Sequence, residues 1–408
     1  MRCSTRWLLI ASLIAMLAIA GWRFWPRPQP TLKVERKPEL LWQFGQPERG
    51  AVISSPRLAD SRVYFGAIRD FALAPLGVAC AVDPDNGKVV WKFDDDGKML
   101  KMFSSPAVAD GRLFIGEGGH GDFACQLYAL DAATGHKLWK FPVASHIESS
   151  PAVADGVVYF GGGDEGLFAV DAANGQRKWN FNDSLHVDSS PAIADGRVYA
   201  GSGDSRRYKN LEMFCLSCAT GDVIWRLPSD LPVWGSPAVA DGRVFFGVGA
   251  SDLFRRPTKT PGGLICLDAL TGRRVWYCDA GSAVLGRPAL DATRVYFGAS
   301  DGTLYAVDRV DGSLAWKANL GSGIAASPAL LDDRLYVVAI GGRVACLNPA
   351  NGSLLSQFDL TARTEAKLRL VSSPLVVPEL STGRHRVYFG AEFVTETGSE
   401  AAVFCLRW

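Results

Sequence analysis

The sequence predicts an all-β fold, an eight-bladed β-propeller of four-stranded antiparallel blades, on three observations. A segment of the form Ser-Pro-Ala-Val-Ala-Asp-Gly-Arg-Val-Tyr-Phe-Gly recurs eight times, with its prolines at Pro56, Pro106, Pro151, Pro191, Pro237, Pro288, Pro328 and Pro374. Most copies run on through Leu-Tyr-Ala-Leu-Asp-Ala-x-Thr-Gly to a tryptophan, at Trp91, Trp139, Trp179, Trp225, Trp276 and Trp316. Within a copy the apolar residues alternate or run short between closely spaced turn signals, as strands require and helices do not. A repeat of 40 to 51 residues cannot bury itself alone and must pack against copies of itself.

Residues 149–181 show how one copy makes a blade. Ala152 to Ala154 is a first strand, closed by an Asp155-Gly156 hairpin turn. Val157 to Gly161 is the second strand. Asp164-Glu165-Gly166 turns into a third, Leu167 to Val170, and the turn Asp171-Ala-Ala-Asn-Gly175 leads to a fourth that contains Trp179. A large ring on the outer strand can reach the neighbouring blade, so the tryptophans are read as docking residues between blades. The seventh copy departs, with Ser356 in the tryptophan position and Phe358 as the residue expected to take over part of its packing.

The two ends complete the ring. The last copy supplies three strands and stops at Trp408, whereas Glu39 to Phe44, containing Trp42, reads as an outer strand with no repeat before it. Pairing that strand onto the final blade supplies its fourth strand and removes exposed edges. Trp42 thereby joins the docking set. Residues 39–408 are assigned to one propeller.

The preceding residues read differently. Two arginines precede an apolar run, residues 7–20, so residues 1–25 are expected to be a signal peptide or an N-terminal membrane anchor, with residues 7–22 as the inner-membrane anchor if the leader is retained. Residues 26–38 form a proline-rich linker. The expected location is therefore exported, periplasmic or extracytoplasmic. From residue 38 onward the chain carries 36 basic and 41 acidic side chains, which is no footprint for nucleic acid. Of the nine cysteines, Cys215, Cys266, Cys346 and Cys405 occupy third-strand positions held elsewhere by alanine, and are read as small buried residues in separate blades; Cys215 and Cys218 stand at the spacing of a metal or redox pair but lack a second half.

The copies Ala169-Val-Asp-Ala-Ala-Asn-Gly-Gln-Arg-Lys-Trp179 and Leu130-Asp-Ala-Ala-Thr-Gly-His-Lys-Leu-Trp139 resemble the tryptophan-docking repeat of pyrroloquinoline quinone (PQQ) propellers. The resemblance covers residues 39–408. It implies one of two branches: quinoprotein dehydrogenases, which use PQQ and calcium, or the non-enzymatic propeller of the outer-membrane β-barrel assembly machinery. The dehydrogenase branch often carries a disulfide between adjacent cysteines, and this chain has no adjacent pair. No catalytic residue of that branch falls on a matching motif, so no catalytic residue and no cofactor is assigned. The expected function is a monomeric, non-catalytic scaffold for protein or peptide partners. The alternatives are a PQQ-dependent alcohol or sugar dehydrogenase and a small-ligand, carbohydrate-binding propeller.

Loop lengths indicate which face carries function. First-to-second hairpins and third-to-fourth turns stay short, while the second-to-third connections grow at residues 67–79, 117–126, 204–212, 249–263 and 392–400, as do the interblade segments 94–104 and 359–371. All of these open on one face. On it stands a duplicated motif, His146-Ile-Glu148-Ser-Ser-Pro and His186-Val-Asp188-Ser-Ser-Pro, in which each histidine is expected beside its own carboxylate, two residues on. Such pairs could bind a metal or act as acid and base; the simpler reading is imidazole–carboxylate hydrogen bonds that tie blades together, and no metal is assigned. Lys101, Trp234, Arg287 and Arg369 hold equivalent loop positions, a set suited to an anionic or peptide ligand. Asp94-Asp-Asp96-Gly and Asp83-Pro-Asp85-Asn-Gly87 fall short of a calcium loop.

Overall fold

The computed structural model describes residues 37–69, 76–205, 207–250, 261–396 and 398–408. The expected leader, its anchor at 7–22 and most of the linker lie outside these residues, as do parts of the 67–79 and 249–263 connections. Among the described residues no helix is long and apolar enough to cross a membrane.

Each proline opens one blade. The third blade consists of Ala152–Ala154, Val157–Gly161, Leu167–Asp171 and Arg177–Phe181, paired antiparallel in that order. Six blades are such four-stranded sheets. The first and last merge into one sheet because the strand Glu39–Ala51 belongs to both. It pairs with Gly398–Arg407 as the outer strand of blade 8, Leu40 opposite Leu406 and Phe44 opposite Val403, and its end meets blade 1, Ala51 opposite Ile68. The predicted closure is therefore present. The 392–400 connection differs from expectation: it is a hairpin between the long strands Arg384–Thr395 and Gly398–Arg407, with Lys367–Arg369 paired alongside.

The hydrophobic core is divided into eight clusters, each built from two neighbouring blades. Both faces of every sheet are thus buried, which is why no blade could fold alone. Docking follows one rule seven times. The indole N–H of Trp42, Trp91, Trp139, Trp179, Trp225, Trp276 and Trp316 donates to a carbonyl in the third-to-fourth turn of the next blade, at 2.9–3.2 Å. The ring lies against that turn's glycine, Gly87, Gly135, Gly175, Gly221, Gly272, Gly312 and Gly352 in turn. At Ser356 the rule fails, and Trp408 rather than Phe358 fills the gap: its ring packs edge-on against Tyr336 at 5.5 Å, where other blades place their own tryptophan. Phe358 is buried in the same cluster but lies two residues past the docking position.

A second belt runs around the axis. At six of the eight prolines the main-chain N–H of the residue before it donates to the hydroxyl of its equivalent in the next blade: Ser55 to Ser105, Ser105 to Ser150, Ser150 to Ser190, Arg287 to Ser327, Ser327 to Ser373 and Ser373 back to Ser55, all near 2.9 Å. Arg287 brings no hydroxyl to this belt.

The described cysteines, Cys80, Cys125, Cys215, Cys218, Cys266, Cys278, Cys346 and Cys405, are free thiols. Burial pushes Cys215 and Cys266 up to about 12, so neither is a reactive thiolate at neutral pH. The Cys218 carbonyl serves the Trp179 dock.

Candidate functional site

Three of the five histidines meet on the long-loop face, carried there by consecutive blades. Ile147 and Val187 are fully buried between blades, each tied to the preceding blade's second-to-third connection by a main-chain bond, Ile147 N–H to the Glu117 carbonyl (3.0 Å) and Val187 N–H to that of Gly163 (2.9 Å). These two anchors hold their flanking residues, His146 with Glu148 and His186 with Asp188, at the cluster. His120 arrives from the 117–126 connection of blade 2. That loop is held over the next one by Ala124 N–H to the Ala144 carbonyl, 3.0 Å, and Val143 N–H to that of Cys125, 2.9 Å.

The ring centroids of His120, His146 and His186 lie 4.9–5.3 Å apart, with the Trp234 ring 5.8 Å from His120 and 5.9 Å from His186. Asp188 sits among them. Its Oδ2 is 2.8 Å from His186 Nε2 and 3.5 Å from His120 Nε2, and its Oδ1 is 3.3 Å from His146 Nε2. The other nitrogen of each ring faces a partner outside this set: His120 Nδ1 is 2.8 Å from Glu148 Oε1, His186 Nδ1 is 2.7 Å from Asp164 Oδ1, and His146 Nδ1 is 3.2 Å from Ser145 Oγ. One nitrogen from each imidazole and one Asp188 oxygen all lie within 4.8 Å of one another.

This corrects the expected pairing. His186 does bond to Asp188, two residues on, but Glu148 accepts from the main chain and ring of His120, and His146 faces Asp188 of the next interblade segment. Residues 144–148 form a loop rather than a strand, so shared direction does not bring Cβ neighbours together. Trp234 joins the cluster; Gly203 lets its ring approach the backbone. Lys101 stands at the border, paired with Asp122 at 3.3 Å. Arg369 is committed to Glu392 at 2.9 Å, and the Arg287 side chain is exposed. Sequence reasoning missed His120 and Asp164. The only signal for His120 was the length of its connection.

The electrostatics follow from three carboxylates around three imidazoles. The Glu148 hydrogen bond raises His120 to about 9 despite partial burial, with Asp188 and Asp164 adding to the effect. Burial disfavours the charged form of His186, but the bonds to Asp188 and Asp164 outweigh it and raise its pKa. Asp188 is fully desolvated, yet His146 and His186 hold it well below the usual carboxylate range. Two buried polar atoms, His146 Nε2 and Asp188 Oδ1, have no hydrogen-bond partner, since their mutual approach at 3.3 Å is not aligned as a bond.

The comparisons place the fold among known proteins. The family model described as outer membrane protein assembly factor BamB matches residues 75–209 and 214–395. No curated protein matches the sequence. Among solved structures, BamB from Moraxella catarrhalis superposes with a TM-score of 0.64 at 17% identity, over 91% of this chain and 98% of that one. The computationally designed Ika8 protein gives 0.67 at 18%, over 90% and 99%. Quinohemoprotein alcohol dehydrogenase from Comamonas testosteroni gives 0.67 at 16%, over 94% of this chain and 78% of that one.

Proposed function

The chain belongs to the family of the outer membrane protein assembly factor BamB, and from that premise we propose that it is an exported, non-catalytic propeller scaffold that holds protein or peptide partners during envelope-protein assembly. The family match, which runs from blade 1 into blade 8, carries this reading. Export is supported by the two arginines and apolar run at the start of the chain, with residues 7–22 holding the propeller at the inner membrane when the leader is retained. The partner face is the one with the extended connections. A propeller suits this work because its blades fix loops from separate parts of the chain as one rigid surface.

The dehydrogenase alternative rests on a fold likeness to enzymes of 16% identity. Calcium takes an all-oxygen ligand set, whereas the mouth of this propeller presents three imidazoles around one aspartate, and the described cysteines are free. These residues do not fit PQQ with calcium. The test has two arms. In-cell crosslinking of the epitope-tagged full chain should enrich β-barrel assembly proteins by mass spectrometry. Dye reduction with alcohols or sugars after adding PQQ and calcium, without such partners, would overturn the proposal.

A further inference from the structure

We propose that His120, His146, His186 and Asp188 form a binding site for a first-row divalent metal ion, best suited to Zn²⁺, which ties together the loops of three consecutive blades on the partner face. The donor set selects the class of ion. Imidazole nitrogens suit zinc, copper, nickel and iron, and three of them with one carboxylate make a four-coordinate site of the kind zinc takes.

Geometry agrees. A tetrahedral ion with bonds of about 2.0–2.1 Å sets its ligands about 3.3 Å apart. Asp188 Oδ1 lies 3.3 Å from His146 Nε2, its Oδ2 lies 3.5 Å from His120 Nε2 and 2.8 Å from His186 Nε2, and one ligand atom from each of the four residues lies within 4.8 Å of the others, so the side chains draw together to complete the site. The surroundings agree independently. A metal-bound histidine characteristically gives its second ring N–H to a carboxylate, carbonyl or water, which fixes the tautomer and aims the remaining lone pair at the ion. Here Glu148 and Asp164 occupy that place for His120 and His186, and the Ser145 hydroxyl does so for His146. The two buried orphans, His146 Nε2 and Asp188 Oδ1, are both atoms that an ion would ligate. Hydrogen bonding alone leaves them without partners. Three carboxylates close by more than offset the charge of a dication, and Trp234 closes one side of the cluster.

The test is metal titration of the full chain, prepared without an oligohistidine tag and stripped with chelator. One equivalent of Zn²⁺ should bind, and Co²⁺ in its place should give visible d–d absorption typical of nitrogen and oxygen ligands. His120→Ala, on a half-exposed loop side chain, should abolish the stoichiometric binding in a protein that still shows the far-UV circular dichroism of the folded propeller. Glu148→Gln and Asp164→Asn, which touch no metal, should each weaken binding about 10–100-fold. The absence of saturable binding by the wild-type chain, or binding unchanged in His120→Ala and Glu148→Gln, would overturn the site. Neither result bears on the assembly partners, which the crosslinking experiment reads separately.

Discussion

Trp408 donates its indole N–H to the Ser356 hydroxyl at 2.6 Å, so the last residue of the chain repairs the one blade that lacks a docking tryptophan. Elsewhere the tryptophan of a blade docks forward onto the next; here the ring comes back from blade 8 onto blade 7 and reaches Tyr336. Blade 8 takes its fourth strand from Glu39–Ala51, so it has no third-to-fourth turn to carry a docking glycine.

Trp408→Ala should therefore destabilise the propeller as much as Trp179→Ala, by about 3–5 kcal/mol, the range for emptying a buried aromatic site. Ser356→Ala removes the hydroxyl that Trp408 bonds, and loss of that hydrogen bond should cost about 0.5–1.5 kcal/mol. Equilibrium denaturation measures all three. A Trp408→Ala midpoint equal to wild type would show that the gap at Ser356 is filled by something else.

Two glycines isolate what docking contributes. Gly196 and Gly221 share a left-handed backbone, φ of +70° and +76°, but a Cβ on Gly196 meets nothing within 4 Å, whereas on Gly221 it falls 2.7 Å from the Trp179 ring. Gly196→Ala should cost about 1–2 kcal/mol for the backbone alone. Gly221→Ala should cost a further 1–3 kcal/mol or so from overpacking. Equal losses would mean that the turn yields to the ring without strain.

A pH dependence follows from Glu117, beneath the His120 loop. Burial raises its carboxyl from 4.5 to about 7, against the bonds it accepts from Leu100 N–H and Tyr128 O–H. A group whose folded pKa is raised stabilises the fold fully below its unfolded value, and that stability is lost as pH rises through the folded one. Wild-type stability should fall between about pH 4.5 and 7, by an amount on the order of 3 kcal/mol. Glu117→Gln should flatten that slope while still accepting both bonds. An equally steep slope in the variant would assign the titration to other groups.

The fold was legible because its information is local and repeated. Proline, Asp-Gly turn, third-strand Asp and tryptophan recur in phase, and the unmatched strand around Trp42 fits only one place in a ring. Much of the cluster was legible too: His146 and His186 stand five residues, and Glu148, Asp188 and Trp234 three residues, before the proline of the blade that follows. Two things were not. The partner of each histidine depends on how neighbouring loops cross, which the period-two rule of a strand does not govern; His120 lies in a connection that repeats nothing, and Asp164, which recurs as Asp204 and Asp301, reads only as a turn residue. The role of Trp408 was hidden because Phe358 is nearer in sequence, whereas packing of blade 8 on blade 7 brings the end of the Gly398–Arg407 strand to Ser356.

Closure by the strand at Glu39–Ala51 positions every blade, and hydrogen–deuterium exchange reads it directly. The amides of residues 40–45 should exchange as slowly as those of residues 402–406, with which they pair. Rapid exchange at 40–45 while the other outer strands stay protected would mean that the propeller is not closed by its N-terminal strand.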